Sequence, residues 1–112
     1  MGGNKIYDTS AVIELIKKRT MKKAPYVSIM TVVEYPPALN YAERIIYPTR
    51  EDYLLAVEWQ SKLRRQGFPP PATDLIIAAQ AVNRNLVLAT RDKHFKTLKG
   101  KLSLDLELEL TP

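Results

Sequence analysis

Short apolar runs alternate along the chain with longer stretches in which apolar residues recur at helical spacing, a pattern that predicts strands and helices in turn. Lys5 to Tyr7 reads as a short strand ending at Asp8. From Ser10 to about Arg19, Val12, Ile13, Leu15 and Ile16 fall close to one helical face, and Lys17, Lys18 and Arg19 suit the negative end of that helix's dipole. After Pro25, Tyr26 to Ile29 reads as a second buried strand, and Thr31-Val32-Val33-Glu34 has the spacing of a capping box that opens a helix. Pro36 and Pro37 lack the backbone donor a helix needs, which predicts a kink or restart before an end near Tyr41 or Glu43. Arg44 to Tyr47, β-branched and aromatic, reads as a third strand closed by Pro48.

The clearest amphipathic pattern begins at Thr49-Arg50-Glu51-Asp52, a second capping signature, and continues through Tyr53, Leu54, Val57 and Leu63 to Gly67, a natural helix terminator. Pro69, Pro70 and Pro71 make a stiff connector. Thr73 is positioned to cap a helix whose first residue is Asp74 and which ends near Asn83 or Asn85. Leu86 to Ala89 reads as a buried strand, and Asp92 as the cap of a short turn through Phe95. Beyond Gly100, the alternation Leu102, Leu104, Leu106, Leu108, Leu110 predicts an edge strand packed on one face, with its acids outward to discourage edge-to-edge association. Strands alternating with helices indicate an α/β domain with a mainly parallel sheet and right-handed crossovers. One domain over residues 1–112 is expected, with Met1 to Asn4 as a flexible start.

Composition narrows the class. At 112 residues, 46% hydrophobic and 26% charged, the chain supplies enough apolar surface for a packed core, which argues against disorder throughout. With no cysteine, disulfides are impossible. The apolar runs are too short to span a bilayer, and the absence of a signal-like leader makes the cytoplasm the expected location. The net charge of +5 is unevenly spread: all 17 Lys and Arg precede Leu102, whereas Asp105, Glu107 and Glu109 follow it. A basic body of this kind favours long-range attraction of a polyanion such as nucleic acid, although solvated lysines alone produce the same surplus.

Three acids stand where a strand hands over to a helix or turn: Asp8 after Tyr7, Glu34 shortly after Ile29 and Asp92 after Ala89. Asp74 opens a helix. Strand ends of a parallel sheet share one edge, so side chains distant in sequence converge there. Carboxylates gathered in this way repel one another unless a cation sits among them, and an all-oxygen set favours Mg²⁺ or Mn²⁺ over zinc. Each acid also has a purely structural reading: Asp8 as a helix N-cap, Glu34 as a capping-box partner, Asp74 as a helix-dipole charge and Asp92 as a turn residue. Their joint placement at one edge favours a metal site.

At these residues the sequence resembles the PIN-domain family, and within it the VapC-like toxin ribonucleases of toxin–antitoxin pairs. Asp8-Thr9-Ser10-Ala11-Val12-Ile13 is similar to the family's opening acidic segment, and Ser28-Ile29-Met30-Thr31-Val32-Val33-Glu34 to its second. Ala72-Thr73-Asp74-Leu75-Ile76-Ile77-Ala78-Ala79, followed by Leu86-Val87-Leu88-Ala89-Thr90-Arg91-Asp92, is the best match. The resemblance implies a three-layer α/β/α fold with strand order 3-2-1-4-5. It further implies Mg²⁺ or Mn²⁺ held by Asp8, Glu34, Asp74 and Asp92, with Glu34 completing the shell or orienting the attacking water, and endonucleolytic cleavage of single-stranded or looped RNA. A cognate antitoxin and a homodimer are the implied partners. The hydroxyls of Ser10 and Thr90 are candidates to orient the acids, and Arg91, Lys93 and Lys96 to meet RNA phosphates. The segment after Glu34 is shorter than most of the family has, and Pro36 and Pro37 crowd that acid. His94 stands where some relatives carry a further acid and, having no partner at helical spacing, reads as a surface residue. Trp59, Tyr53 and Tyr41 read as core or dimer residues.

Two other classes compete. One is a catalytically silent PIN-like module for RNA binding or assembly, with a PIN nuclease of RNA processing as a variant of the leading reading. The other is a phosphatase or receiver domain using a strand-end aspartate, but Asp8 lacks a second acid two residues later and no suitably placed lysine is evident.

Overall fold

The computed structural model describes residues 4–19, 21–102 and 106–110, so Met1 to Gly3, Leu104 and Asp105 of the expectations above lie outside the described residues. Five strands form one sheet in the order β3-β2-β1-β4-β5. These are β1 (Lys5–Tyr7), β2 (Ala24–Ser28), β3 (Ala42–Ile46), β4 (Val87–Thr90) and β5 (Leu108–Leu110). Every pairing is parallel, with Tyr7 opposite Val27 on one side and Ala89 on the other. The expected order is therefore observed, and the sheet is wholly rather than mainly parallel.

Successive side chains on a strand face opposite sides, and the central strand shows why two cores form. Ile6 belongs to a cluster with Trp59, Leu63, Leu75, Leu88, Phe95 and Leu98. Its neighbour Tyr7 packs in a second cluster around Val12, Ala24, Val27 and Ala38. Helices α3 (Arg50–Arg65), α4 (Ala72–Arg84) and α5 (His94–Leu102) contribute to the first, and α1 (Thr9–Lys17) to the second. Three layers result. No helix among the described residues is long and apolar enough to cross a membrane.

Several local expectations are corrected. Helix α2 (Ile29–Glu34) is capped by Ser28, whose Oγ accepts from Met30 N at 3.1 Å, so Thr31 and Glu34 do not form its capping box. Glu34 ends the helix because Pro36 follows, and the chain restarts as a 3-10 turn over Pro36–Tyr41. The third strand begins two residues earlier than expected, at Ala42. Helix α4 begins at Ala72 after Pro71 with no side-chain cap, which makes Asp74 its third residue and leaves Thr73 inside the first turn. The turn after Asp92 is a nine-residue helix, α5, which absorbs Gly100 and Leu102, so among the described residues the terminal alternation yields the three-residue β5. Leu106 is buried and Leu110 exposed, while Lys5 Nζ holds Glu109 Oε2 at 2.6 Å along this edge.

The capping box at Thr49 is present: Thr49 Oγ1 accepts from Asp52 N at 3.3 Å and Asp52 Oδ2 accepts from Thr49 N at 2.8 Å. Its acid does more than cap. Asp52 is fully buried and accepts from Asn83 Nδ2 at 2.8 Å and from both terminal nitrogens of Arg84 at 3.2 and 3.0 Å. Burial pushes this carboxyl's pKa up, but hydrogen bonds from Arg84, the Thr49 backbone and Asn83, with the Arg84 charge, outweigh it and hold the pKa below the ordinary value. The start of α3 is thereby locked to the end of α4, where Asn85 stops the helix in a left-handed conformation at φ 54°.

Candidate active site

Asp8 leaves β1 at the carboxyl edge of the sheet and serves as the N-cap of α1, so its structural and functional readings coexist. Its carboxylate is buried and accepts three hydrogen bonds. Oδ1 accepts from Ala11 N at 2.9 Å and Ser10 Oγ at 2.7 Å, while Oδ2 accepts from Thr90 Oγ1 at 2.5 Å. Thr90 Oγ1 accepts in turn from Asp92 N at 2.9 Å, linking the ends of β1 and β4 through one hydroxyl. Ser10 Oγ, 3.3 Å from Thr90 Oγ1, accepts from Arg91 N at 3.0 Å. Both hydroxyls singled out in the sequence thus bind Asp8 directly.

Glu34 is brought in from α2 by a contact the sequence reading missed: Thr9 Oγ1 donates to Glu34 Oε1 at 2.7 Å and stands 3.2 Å from Thr31 Oγ1. The available signal was a second hydroxyl immediately after Asp8. Asp92 Oδ1 accepts from His94 N at 2.9 Å, which starts α5, and lies 2.8 Å from His94 Nδ1. A hydrogen bond there requires the ring proton on Nδ1. His94 is exposed, as expected, yet it is engaged with a site acid; the Asp-x-His spacing was the overlooked cue.

Asp74 carries the electrostatic signature of the cluster. Burial, then the charges of Asp92, Asp8 and Glu34, push its carboxyl up to about 6, against a weaker opposing effect of His94. No described residue donates a hydrogen bond to it. Asp8 is also raised, chiefly by burial and in small part by Asp92, against hydrogen bonds from Thr90, Ala11 and Ser10. Asp92, Asp8 and Glu34 therefore each act on Asp74, and Asp92 acts on Asp8. Among the described residues no three of them form a ready-made ligand cluster, so they share a field rather than a closed cage. An all-oxygen donor set is of the kind that hard divalent cations prefer.

Beside the acids lies a cleft of about 290 Å³. One wall is apolar, formed by Phe68, the Pro69–Pro71 run, Phe95 and Leu98; Asp74, Asp92 and His94 complete it. Of the basic residues expected to face RNA, Lys93 and Lys96 are exposed, whereas Arg91 Nη1 pairs with Glu14 Oε2 at 3.0 Å because α1 presents that acid alongside it.

A parallel 3-2-1-4-5 sheet with acids gathered at the carboxyl ends of β1 and β4 defines a PIN-like fold. The chain shares this fold with solved VapBC structures. It superposes on a chain of DNA-bound VapBC from Salmonella typhimurium with a TM-score of 0.74 and 19% identity, covering 95% of this chain and 96% of that one. The corresponding values for VapBC2 from Rickettsia felis, bound to a DNA fragment from their promoter, are 0.73, 18%, 95% and 97%. For VapBC-1 from nontypeable Haemophilus influenzae they are 0.70, 22%, 95% and 96%. No family model and no curated protein matches the sequence.

Proposed function

We propose that this chain is a metal-dependent endoribonuclease, the toxin of a VapBC-type toxin–antitoxin pair, acting in the cytoplasm on RNA phosphodiester bonds. The observation that carries the reading is the set of carboxylates around Asp74, whose pKa burial and then the charges of Asp92, Asp8 and Glu34 raise to about 6. Mg²⁺ or Mn²⁺, when bound there, would supply a more acidic water and positive charge for the phosphate oxygens. Asp8, Asp74 and Asp92 would hold it. Ser10, Thr90 and the Ala11 amide fix the Asp8 carboxylate, and Thr9 fixes Glu34 so that its second oxygen is free to complete the shell or to orient an attacking water. Lys93 and Lys96 supply exposed cations for RNA phosphates beside the acids.

The direct test is cleavage of single-stranded RNA by the purified chain. We expect cutting with Mg²⁺ or Mn²⁺, none in excess EDTA, and recovery when metal is returned. Undiminished cutting in EDTA contradicts the metal reading. A catalytically silent PIN-like module, the second reading, fits acids that share a field without forming a ligand cluster. Calorimetric titration separates the two, because a silent module takes up no Mg²⁺ or Mn²⁺ at millimolar levels.

The partner proposals rest on surface. Tyr53, Leu54 and Val57 are exposed on α3, with Val57 63% accessible, whereas Trp59 on the same helix is buried in the core. An apolar strip of this kind is a candidate for the homodimer contact, leaving the acidic edge for an antitoxin. Light scattering is expected to give a dimer mass for the parent and a monomer for Val57→Glu. Equal masses for the two proteins remove this strip from consideration.

A further inference from the structure

The apolar wall beside the acids contributes nothing to metal binding, and its construction is specific. Helix α3 stops at Gly67, with φ +76°, and Phe68 N donates back to Leu63 O at 2.9 Å, the six-to-one bond of a Schellman stop. This bond brings Phe68 into the lining of the cleft, and three consecutive prolines then hold the wall stiff. The ring is only partly buried, stands 6.4 Å from the His94 ring at 43°, and has Lys101 Nζ 5.4 Å from its centroid.

Resting on the nuclease reading above, we propose that this cleft is a nucleobase subsite in which Phe68 receives the base of a nucleotide flanking the scissile phosphate of single-stranded RNA. The size suits one base: about 290 Å³ lies at the lower limit of small-ligand pockets. The charges decide which part of the nucleotide enters. Asp74 and Asp92, which line the same cleft, repel a phosphate but accept hydrogen bonds from the amino or imino groups of a neutral base. Residues 93–102 carry Lys93, Lys96, Lys99 and Lys101 and no acid, so the phosphates on either side of the base find cations along α5. Bases in a duplex are stacked and paired, which confines the subsite to unpaired RNA. An apolar side chain of a protein partner would fill the same volume but has no use for the lysines.

The test uses the full chain, labelled 12-mers of oligo(A), oligo(C), oligo(G) and oligo(U), and fluorescence anisotropy in EDTA, so that neither metal nor cleavage enters. Phe68→Leu keeps the apolar contact at the helix stop and is expected to weaken the preferred RNA about tenfold, whereas Phe68→Tyr, which keeps the ring, stays near the parent. In a separate measurement that needs no variant, ultraviolet crosslinking of a 4-thiouridine 12-mer to the parent is expected to label Phe68. With metal added, Phe68→Leu is expected to raise KM and relax the base preference next to the cut. A chain that binds and crosslinks as stated but never cuts sinks the nuclease reading alone. Parent-like binding and base preference in Phe68→Leu, loss of binding in Phe68→Tyr as well, or a parent that binds none of the four RNAs overturns the subsite.

Discussion

Asp74→Asn is expected to reduce RNA cleavage at least about a thousandfold while making the metal-free fold more stable. The first effect follows from removing a carboxylate that the proposed cation needs. The second follows from its surroundings, since burial and then the charges of Asp92, Asp8 and Glu34 disfavour the Asp74 carboxylate, and asparagine carries no charge. The sign is set by linkage. The folded chain keeps the Asp74 proton up to about 6 while the unfolded chain releases it near 3.8. The native state therefore binds more protons through this window, and stability falls as pH rises across it. The gain in Asp74→Asn is then absent below about pH 3.8, grows to about pH 6 and levels off at about 2 kcal/mol, allowing for partial exposure. Thermal melts of parent and variant in EDTA from pH 4 to 8 measure it, and Mn²⁺ is expected to raise the parent's melting temperature more than the variant's. A variant that cuts RNA like the parent removes Asp74 from the mechanism, and identical melts at pH 7 remove the charge cluster.

Asp52→Ala is expected to cost about 3–5 kcal/mol of stability, lowering the melting temperature by more than about 10 °C, without touching the acids of the cleft. The substitution removes the buried acceptor shared by Thr49, Asn83 and Arg84 and leaves the Arg84 guanidinium without its counter-charge. Removing both charges in Asp52→Ala with Arg84→Ala is expected to cost less than the sum of the two single changes, because no orphan ion remains. The pH dependence runs opposite to that of Asp74. A carboxyl held below its ordinary value contributes stability that is present above about pH 3.8 and is lost as pH falls through its lower folded value. Denaturant melts at pH 7 and pH 3 check both statements, and a change below about 1 kcal/mol at pH 7 would mean that the α3–α4 lock is not what holds these helices together.

Legibility varied with how strongly burial constrains composition. Strands β1, β2 and β4 lie inside the sheet, so their apolar runs were plain in the sequence, and α3 announced itself through the Thr49 box and Gly67. The nearness of Asp8, Asp74 and Asp92 to one another was legible because chain position alone puts a strand-end or helix-start acid near a common edge. The terminal leucines misled: alternation with period two looks like a strand, yet Leu102 closes a helix because Phe95 and Leu98 bury against the core on helical spacing. Glu34 was placed on the right segment with the wrong local role, since Ser28 and Thr31 are both plausible caps by spacing and only β2's end at Ser28 chooses between them.

By itself the sequence determined an α/β chain with three acids at element boundaries, a fourth within reach and a basic body, because hydrophobic period and end chemistry are local properties. Tertiary structure decided the rest: that Thr9 holds Glu34, that Thr90 ties Asp8 to Asp92, that Asp52 clasps Arg84, and that Phe68 lines a cleft beside Asp74. Each joins residues on separate elements, and such contacts depend on how helices settle on the sheet, a global balance of packing that no short stretch of residues encodes.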